Sequence, residues 1–128
     1  MDAERVERRR KQRFQAKEGS MVVLAMRGRE ELLRVGDLID ISQGGLSYRY
    51  VPAEERAGDP PNLDIFGYSG PPIHLDGIPY QIVYDAEVPE SFRFGIPKGA
   101  RRCGVKFGEL SDRQLSHLNA FISHYTLS

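Results

Sequence analysis

The chain has 128 residues, which is enough for one domain with a modest hydrophobic core. Its 18 lysines and arginines balance its 18 aspartates and glutamates, so the overall charge gives no indication of a polyanionic partner. A single cysteine excludes an internal disulfide framework and is typical of a protein from a reducing cytoplasm.

Positive charge is concentrated near the N-terminus. Residues 4–17 hold seven lysines and arginines against two glutamates, whereas residues 18–128 hold eleven against fifteen acidic residues. We therefore divide the chain into a flexible basic arm, residues 1–17, and a folded domain, residues 18–128. The arm is open to interpretation as a solvated tail, a transient helix or an extended segment that a ligand orders. Nucleic-acid binding through the arm is a further alternative, which the acidic remainder of the chain disfavours.

Neither a membrane span nor a signal peptide is predicted. No apolar run approaches the roughly 20 residues that a membrane-spanning helix needs. The charged start also lacks the apolar segment of a signal peptide. We expect a cytoplasmic protein with no membrane contact.

After the arm, the apolar pattern predicts β-strands. Ser20–Met26 and residues 32–41 are apolar-rich segments without proline, and residues 35–37 are a candidate bulge or bend in the second of them. Residues 46–50 then alternate between apolar and polar side chains, with Ser47 and the arginine at position 49 on the polar face. This period of two is typical of a half-buried strand.

The middle of the chain is rich in loops. Residues 52–79 contain six of the eight prolines, so we expect loops there around one short strand at residues 63–66. Residues 78–88 give the longest alternating pattern, residues 92–94 suggest a short strand, and residues 103–107 predict the last one. The aromatic residues predicted to lie in the core are Tyr48, Tyr50, Tyr80, Tyr84, Phe107 and Phe121.

The C-terminal segment changes to a helical period. Ser111 and Gln114 form the pattern of a capping box, which predicts a helix over residues 111–126. Its apolar stripe consists of Leu115, Leu118, Ile122 and Tyr125. Such a stripe packs on its own domain in most proteins, and docking on a partner or membrane is the alternative.

The segment Asp40–Gly45 combines a carboxylate, a hydroxyl and two glycines between two predicted strands. The carboxylate of Asp40 can accept two N–H donors, and Ser42 can donate or accept beside it. Glycine allows a backbone turn through positive φ and close approach of a ligand. The alternative is a plain Asx-type turn that feeds a hairpin.

The arginines of the arm supply the complementary chemistry. A guanidinium pairs bidentately with phosphate or with guanine O6 and N7, and it stacks on bases. An aspartate beside such arginines would accept the guanine N1–H and N2–H. A guanine nucleotide with phosphates would satisfy both segments at once.

Together these segments resemble a known family. Arg9-x-x-x-Arg13, with Arg8 ahead of it, and Asp40-x-Ser42-x-x-Gly45 resemble the two-part signature of the PilZ domain. The similarity extends to residues 104–107, just before the helix. It implies an all-β fold, a small six-stranded antiparallel barrel with one C-terminal helix, that binds the bacterial second messenger cyclic di-GMP.

The resemblance also implies a site and an output. The ligand-binding residues that it implies are Arg8, Arg9, Arg13, Asp40, Ser42 and Gly45. The arginines would contact phosphates and stack on or pair with guanine, the aspartate would accept from the guanine edge, the serine would add a hydrogen bond, and the glycine would leave room. The arm would fold over the ligand and create a surface for a downstream protein, which the sequence does not identify.

No catalytic constellation is visible in the sequence. His117 and His124 lack the cysteine or carboxylate support of a zinc site, and Cys103 sits inside a strand pattern. There is no phosphate-binding loop, and Gly67-Tyr68-Ser69-Gly70 lacks the frame of a nucleophile elbow. We expect no enzyme activity, cofactor or metal. A ligand-free interaction module of the same fold and a weak nucleic-acid binder remain open alternatives.

Overall fold

The computed structural model describes residues 12–17, 19–26, 31–52, 62–67, 72–88 and 99–127. Arg8, Arg9 and the strand predicted at residues 92–94 lie outside these ranges. The described elements, in chain order, are β1 Phe14–Gln15, β2 Ser20–Met26, β3 Glu31–Ile41, β4 Gly45–Tyr50, β5 Asn62–Gly67, β6 Ile73–Glu87, β7 Arg101–Phe107 and the helix α1 Asp112–Tyr125.

Strands β2 to β7 close into an antiparallel barrel. Their spatial order is β3-β2-β5-β6-β7-β4, and β4 pairs back onto β3. The two-residue strand β1 adds to β3 beyond the end of β2, with Phe14 opposite Ile41 and Gln15 opposite Asp40. Because closure leaves no long free edge, a small all-β domain is protected from edge-to-edge pairing. The predicted six-stranded barrel with a C-terminal helix is confirmed.

A bulge in β3 decides which way the candidate site faces. The register passes from Leu38 opposite Tyr48 to Asp40 opposite Ser47, so Ile39 is an extra residue. A one-residue insertion exchanges the two faces of a strand. It therefore turns Asp40 to the outer surface of the barrel and leaves Ile41 buried in the core.

The bulge predicted at residues 35–37 is wrong. These residues pair without interruption with Met21, Val22 and Val23, and the second register shift of β3 lies between its pairs with Leu24 and Ala25. Two shifts bend one 11-residue strand so that β2 pairs along one part of it and β4 along another. The alternating pattern alone cannot locate such insertions, because both neighbouring strands determine them.

The barrel interior is filled by the inward faces of β2 to β7. Strand β5 alternates strictly between buried and half-buried residues, as a period of two requires. Tyr84 was predicted in the core, but it is 41% exposed. A register shift at Val83 carries its ring to the outer face, where it covers Gly104. The buried core consists of Val22, Leu38, Ile41, Leu46, Tyr48, Tyr50, Leu63, Ile65, Leu75, Ile78, Cys103, Val105, Phe107, Leu118, Phe121 and Tyr125.

Helix α1 packs on the barrel, as predicted. The capping box is formed: Ser111 Oγ accepts from the Gln114 amide, and the Gln114 side chain accepts from the Ser111 amide. The buried stripe is Leu118, Phe121 and Tyr125; Leu115, predicted to belong to it, is 39% exposed. Among the described residues, no helix has the length and apolar character needed to cross a membrane.

The end of the helix is joined to β1. The Lys17 amide donates to the Tyr125 carbonyl at 2.8 Å, and the Leu127 amide donates to the Gln15 carbonyl at 2.8 Å. An isolated bridge pairs Ala16 with the residue after the helix. Residues 14–17 of the predicted arm therefore connect β3 to the C-terminal end of the chain.

Candidate functional site

The turn between β3 and β4 is held by Ser42. Its amide donates to the Gly45 carbonyl at 2.8 Å, and its hydroxyl accepts from the Gly44 amide at 3.1 Å and donates to the Gly45 carbonyl at 3.3 Å. Ser42 is buried, with 3% of its surface exposed. The serine hydroxyl thus closes the turn in the way that an Asx side chain would. The carboxylate of Asp40 takes no part in it.

Gly45 serves packing rather than backbone freedom. Neither Gly44 nor Gly45 has a positive φ, so that part of the sequence interpretation is wrong. A Cβ on Gly45 would lie 2.2 Å from the carbonyl oxygen of Val105 on β7. Glycine is required at this position because the β7 backbone passes where a side chain would begin. The tight turn gains its geometry from Ser42 instead.

Asp40 lies at the centre of a polar cluster on the outer face of the sheet. Its Oδ1 accepts from Ser47 Oγ at 2.8 Å and from Arg13 Nη1 at 2.7 Å. Its Oδ2 accepts from Arg102 Nη2 at 3.3 Å, and the same nitrogen donates to Ser47 Oγ at 3.2 Å. The Asp40 side chain is 21% exposed, so the carboxylate is partly shielded yet open on one side. We call Asp40, Ser47 and Arg102 the Asp40 cluster.

The strand register explains this assembly. Asp40 stands directly opposite Ser47 across the β3–β4 pair. Arg102 pairs with Arg49, two residues along β4 from Ser47, so its side chain reaches the serine diagonally. Ser47 points outward, yet it is only 1% exposed. Three strands thus hold the groups that surround one carboxylate.

Arg13 joins the two predicted halves of the site. It precedes β1 directly, and the pairing of Gln15 with Asp40 holds this end of the arm beside β3. Its side chain is half exposed, and its contact with Asp40 is a charge-assisted hydrogen bond of normal length. The structure therefore brings Arg13 and Asp40 together. Ser42 and Gly45 lie in the adjoining turn, and Arg8 and Arg9 are outside the described residues.

A cleft of about 610 Å³ opens beside this contact. Its volume lies within the range that holds ligands of the size of a nucleotide, roughly 300–1,000 Å³. Arg13 lines the cleft and also contacts the Asp40 cluster. The cleft is lined by Gln12, Arg13, Ser42, Gly44, Val83, Val105 and Lys106.

The sequence interpretation missed three polar members of the site. The local pattern places Ser47 only on the polar face of its strand, and it does not distinguish Arg102 or Lys106 as binding residues. Lys106 is exposed on β7, opposite Gly45, and lines the cleft. The positions of these side chains depend on the pairing of β4 with β7, which no local pattern encodes. Alternation in β7 does indicate that Arg102 and Lys106 share a strand face.

Neighbouring arginines of β7 have different surroundings. Arg101 donates from Nε to Asp85 Oδ1 at 2.8 Å, and Tyr50 donates its hydroxyl to the other oxygen of the same carboxylate. The hydrogen bond from Arg101 to Asp85 and the negative charge of that carboxylate raise the pKa of Arg101, which stays cationic. Arg101 thus binds Asp85 on β6, whereas Arg102 donates to Asp40 on β3.

Comparisons with known proteins agree with this architecture. The family model described as PilZ domain matches residues 7–124. The solved structure of the PilZ domain with c-di-GMP of YcgR from Escherichia coli aligns with a TM-score of 0.61 and 20% sequence identity. That alignment covers 91% of this chain and 89% of the other, and it supports the barrel fold. No sequence among the curated proteins matches the chain.

Proposed function

Since the chain belongs to the PilZ domain family, we propose that it is a receptor for cyclic di-GMP that binds its ligand between the N-terminal arginines and the Asp40–Gly45 segment. One observation carries the proposal. Arg13, from the first motif half, lies 2.7 Å from Asp40, from the second half. A donor fork and an acceptor carboxylate therefore meet beside a cleft of suitable volume, which Arg13 lines.

The chemistry of the cleft suits a phosphorylated guanine ligand. Arg13 and Lys106 place two cations along its lining, and Arg8 and Arg9 would add two more from the arm. Guanidinium groups pair bidentately with phosphate, and lysine acts there as a point charge. Asp40 would accept the N1–H and N2–H of guanine, an arrangement that adenine cannot offer. The proposed ligand-binding residues remain Arg8, Arg9, Arg13, Asp40, Ser42 and Gly45.

The roles that we propose for Ser42 and Gly45 differ from those that the resemblance implies. The Ser42 hydroxyl already makes two hydrogen bonds within the turn, so we assign it the task of shaping the floor of the site. Gly45 keeps β4 close to β7 and thereby holds the turn beside the cleft. Both residues then support binding chiefly through the backbone, and direct ligand contacts fall mainly to the arginines and Asp40.

Ligand binding must rearrange the contact between Arg13 and Asp40. In the free protein these groups neutralise each other, and a ligand with both phosphate and guanine offers each of them a new partner. The arm would then close over the ligand and present a new surface to a downstream protein. We assign the domain no reaction on its ligand and no cofactor, and we place this receptor in the cytoplasm of a bacterium.

Isothermal titration tests the proposal directly. We expect saturable binding of cyclic di-GMP, with no comparable heat from GTP or from a DNA duplex. GTP carries the guanine and phosphates but lacks the cyclic backbone, so it controls for unspecific attraction to cations. Absence of saturable cyclic di-GMP binding would overturn the receptor function. Binding of the duplex alone would favour the nucleic-acid alternative, which uses the same basic arm.

A further inference from the structure

Arg102 contacts two residues of the candidate site, Asp40 and Ser47, with the same nitrogen atom. Its Nη2 reaches two members of one cluster, Asp40 Oδ2 at 3.3 Å and Ser47 Oγ at 3.2 Å. Ser47 in turn donates to Asp40 Oδ1 at 2.8 Å. Arg13 aside, one donor therefore meets each carboxylate oxygen, and the contact between Arg102 and Ser47 links the two donors. This closed arrangement fixes both the position and the rotation of the carboxylate.

The two arginines of Asp40 differ in how they are held. Arg13 lies in the arm, directly before the two-residue strand β1. The side chains of Arg13 and Arg102 are 50% and 45% exposed, so the difference lies in the backbone that holds them. Arg102 lies inside β7, which pairs along its whole length with β4 and β6. When a ligand attracts Arg13, Arg102 is the cation that stays beside the carboxylate.

We propose that Arg102, with Ser47, is a positioning residue that holds the Asp40 carboxylate ready for the guanine edge of the ligand. Departure of Arg13 frees an acceptor site on Oδ1, while Ser47 and Arg102 keep both oxygens in place. A carboxylate fixed before binding loses less rotational freedom when it accepts the paired N1–H and N2–H of guanine. The inference rests on the proposed function, and it extends the site to a strand outside both motif halves.

The first test compares arginine variants by titration with cyclic di-GMP. Arg102→Ala should weaken binding about tenfold, which corresponds to about 1.4 kcal/mol. Arg102→Lys should recover affinity to within about threefold of wild type, because a single nitrogen makes both contacts. Arg49→Ala is the matched control: Arg49 is a partly exposed arginine on the neighbouring strand that also pairs with an aspartate, Asp37, at 3.6 Å. The affinity of Arg49→Ala for cyclic di-GMP should stay within twofold of wild type.

The second test uses cyclic di-IMP, in which the exocyclic amino group of guanine is missing. Wild-type protein should prefer cyclic di-GMP, because the analogue cannot offer N2–H to Asp40. If Arg102 acts by orienting that carboxylate, Arg102→Ala should reduce this preference at least threefold. An arginine that only held the fold together, or that only contacted phosphate, would lower both affinities equally and leave the preference unchanged.

The outcomes separate this inference from the receptor function. Binding of cyclic di-GMP by wild type, with Arg102→Ala within twofold of it, would overturn the inference alone. An unchanged preference between the two ligands would overturn it as well. No binding by wild type would overturn the receptor function and the inference with it. If Arg102→Ala does not fold, Ser47→Ala removes the other half of the arrangement and should give the same reduced preference.

Discussion

Replacing Asp40 by alanine is expected to separate ligand binding from folding. Charge-assisted hydrogen bonds contribute about 1.5–3 kcal/mol each. Each such contact corresponds to roughly ten- to 150-fold in affinity, so loss of the proposed pair should weaken cyclic di-GMP binding by at least about a hundredfold. The effect on binding is large because both N–H groups of the ligand would be left without their acceptor.

The effect on stability should be small but measurable. The ion pairs of Asp40 with Arg13 and Arg102 are partly exposed, and such pairs contribute about 0–1 kcal/mol each. Ser47 keeps its contact with Arg102 at 3.2 Å, so no buried hydroxyl loses every partner. The free energy of unfolding should fall by about 1 kcal/mol, which lowers the melting temperature by roughly 3–6 °C.

Titration and thermal denaturation of the same samples measure both quantities. Asp37→Ala is the control, because Asp37 lies on the same strand and also pairs with an arginine, Arg49, but is 72% exposed. It should leave affinity unchanged. Wild-type affinity in Asp40→Ala would refute the site, whereas an unfolded Asp40→Ala protein would mean that the cluster is primarily structural.

Three further outcomes are expected. Arg9→Ala should weaken binding at least tenfold by titration, and Arg9→Lys should not restore it fully, because an ammonium cannot form the bidentate fork; equal affinities would contradict this role. Gly45→Ala should lower the unfolding free energy of the free protein by about 1–3 kcal/mol, because the new methyl group would clash with the β7 backbone. Gly108→Ala should cost less, because its methyl group would meet mainly a proline side chain. An unchanged melting temperature in Gly45→Ala would contradict the close approach of β7 to Gly45. Amide hydrogen exchange of residues 8–13 should slow with cyclic di-GMP, and a chain starting at Gln12 should fold but fail to bind; tight binding by that chain would contradict a role for the arm.

Much of the fold follows from local patterns. The apolar segment at Ser20–Met26 is a strand with the predicted bounds, and the capping box at Ser111 begins the helix. These succeed because hydrophobic periodicity and caps act over a few residues. Tyr84 shows the limit of the method. Its side chain fits the alternating pattern of β6, but the register shift at Val83 moves it to the outer face.

The candidate site was predictable only where its residues lie in motifs. Arg13 and Asp40 stand out by chemistry and spacing, and the structure brings them into contact. Arg102 is separated from Asp40 by 62 residues, and its approach depends on the β3 bulge at Ile39 and on the β4–β7 register. A shift of one residue at either place would turn one partner away. No single-strand pattern contains that information.

The position of β1 explains why events at the ligand site should reach the end of the chain. Arg13 is followed directly by a two-residue strand that pairs with β3 on one side, and the residues around that strand bond to the end of α1. Short strands with few backbone hydrogen bonds open at lower free energy than the barrel strands they border. A ligand that draws Arg13 away from Asp40 therefore acts on the least secured element of the sheet. Because the Leu127 amide donates to the Gln15 carbonyl, we expect displacement of β1 to loosen the C-terminal residues as well. The conformation of β1 and of the residues after α1 would then differ between the free and the ligand-bound protein.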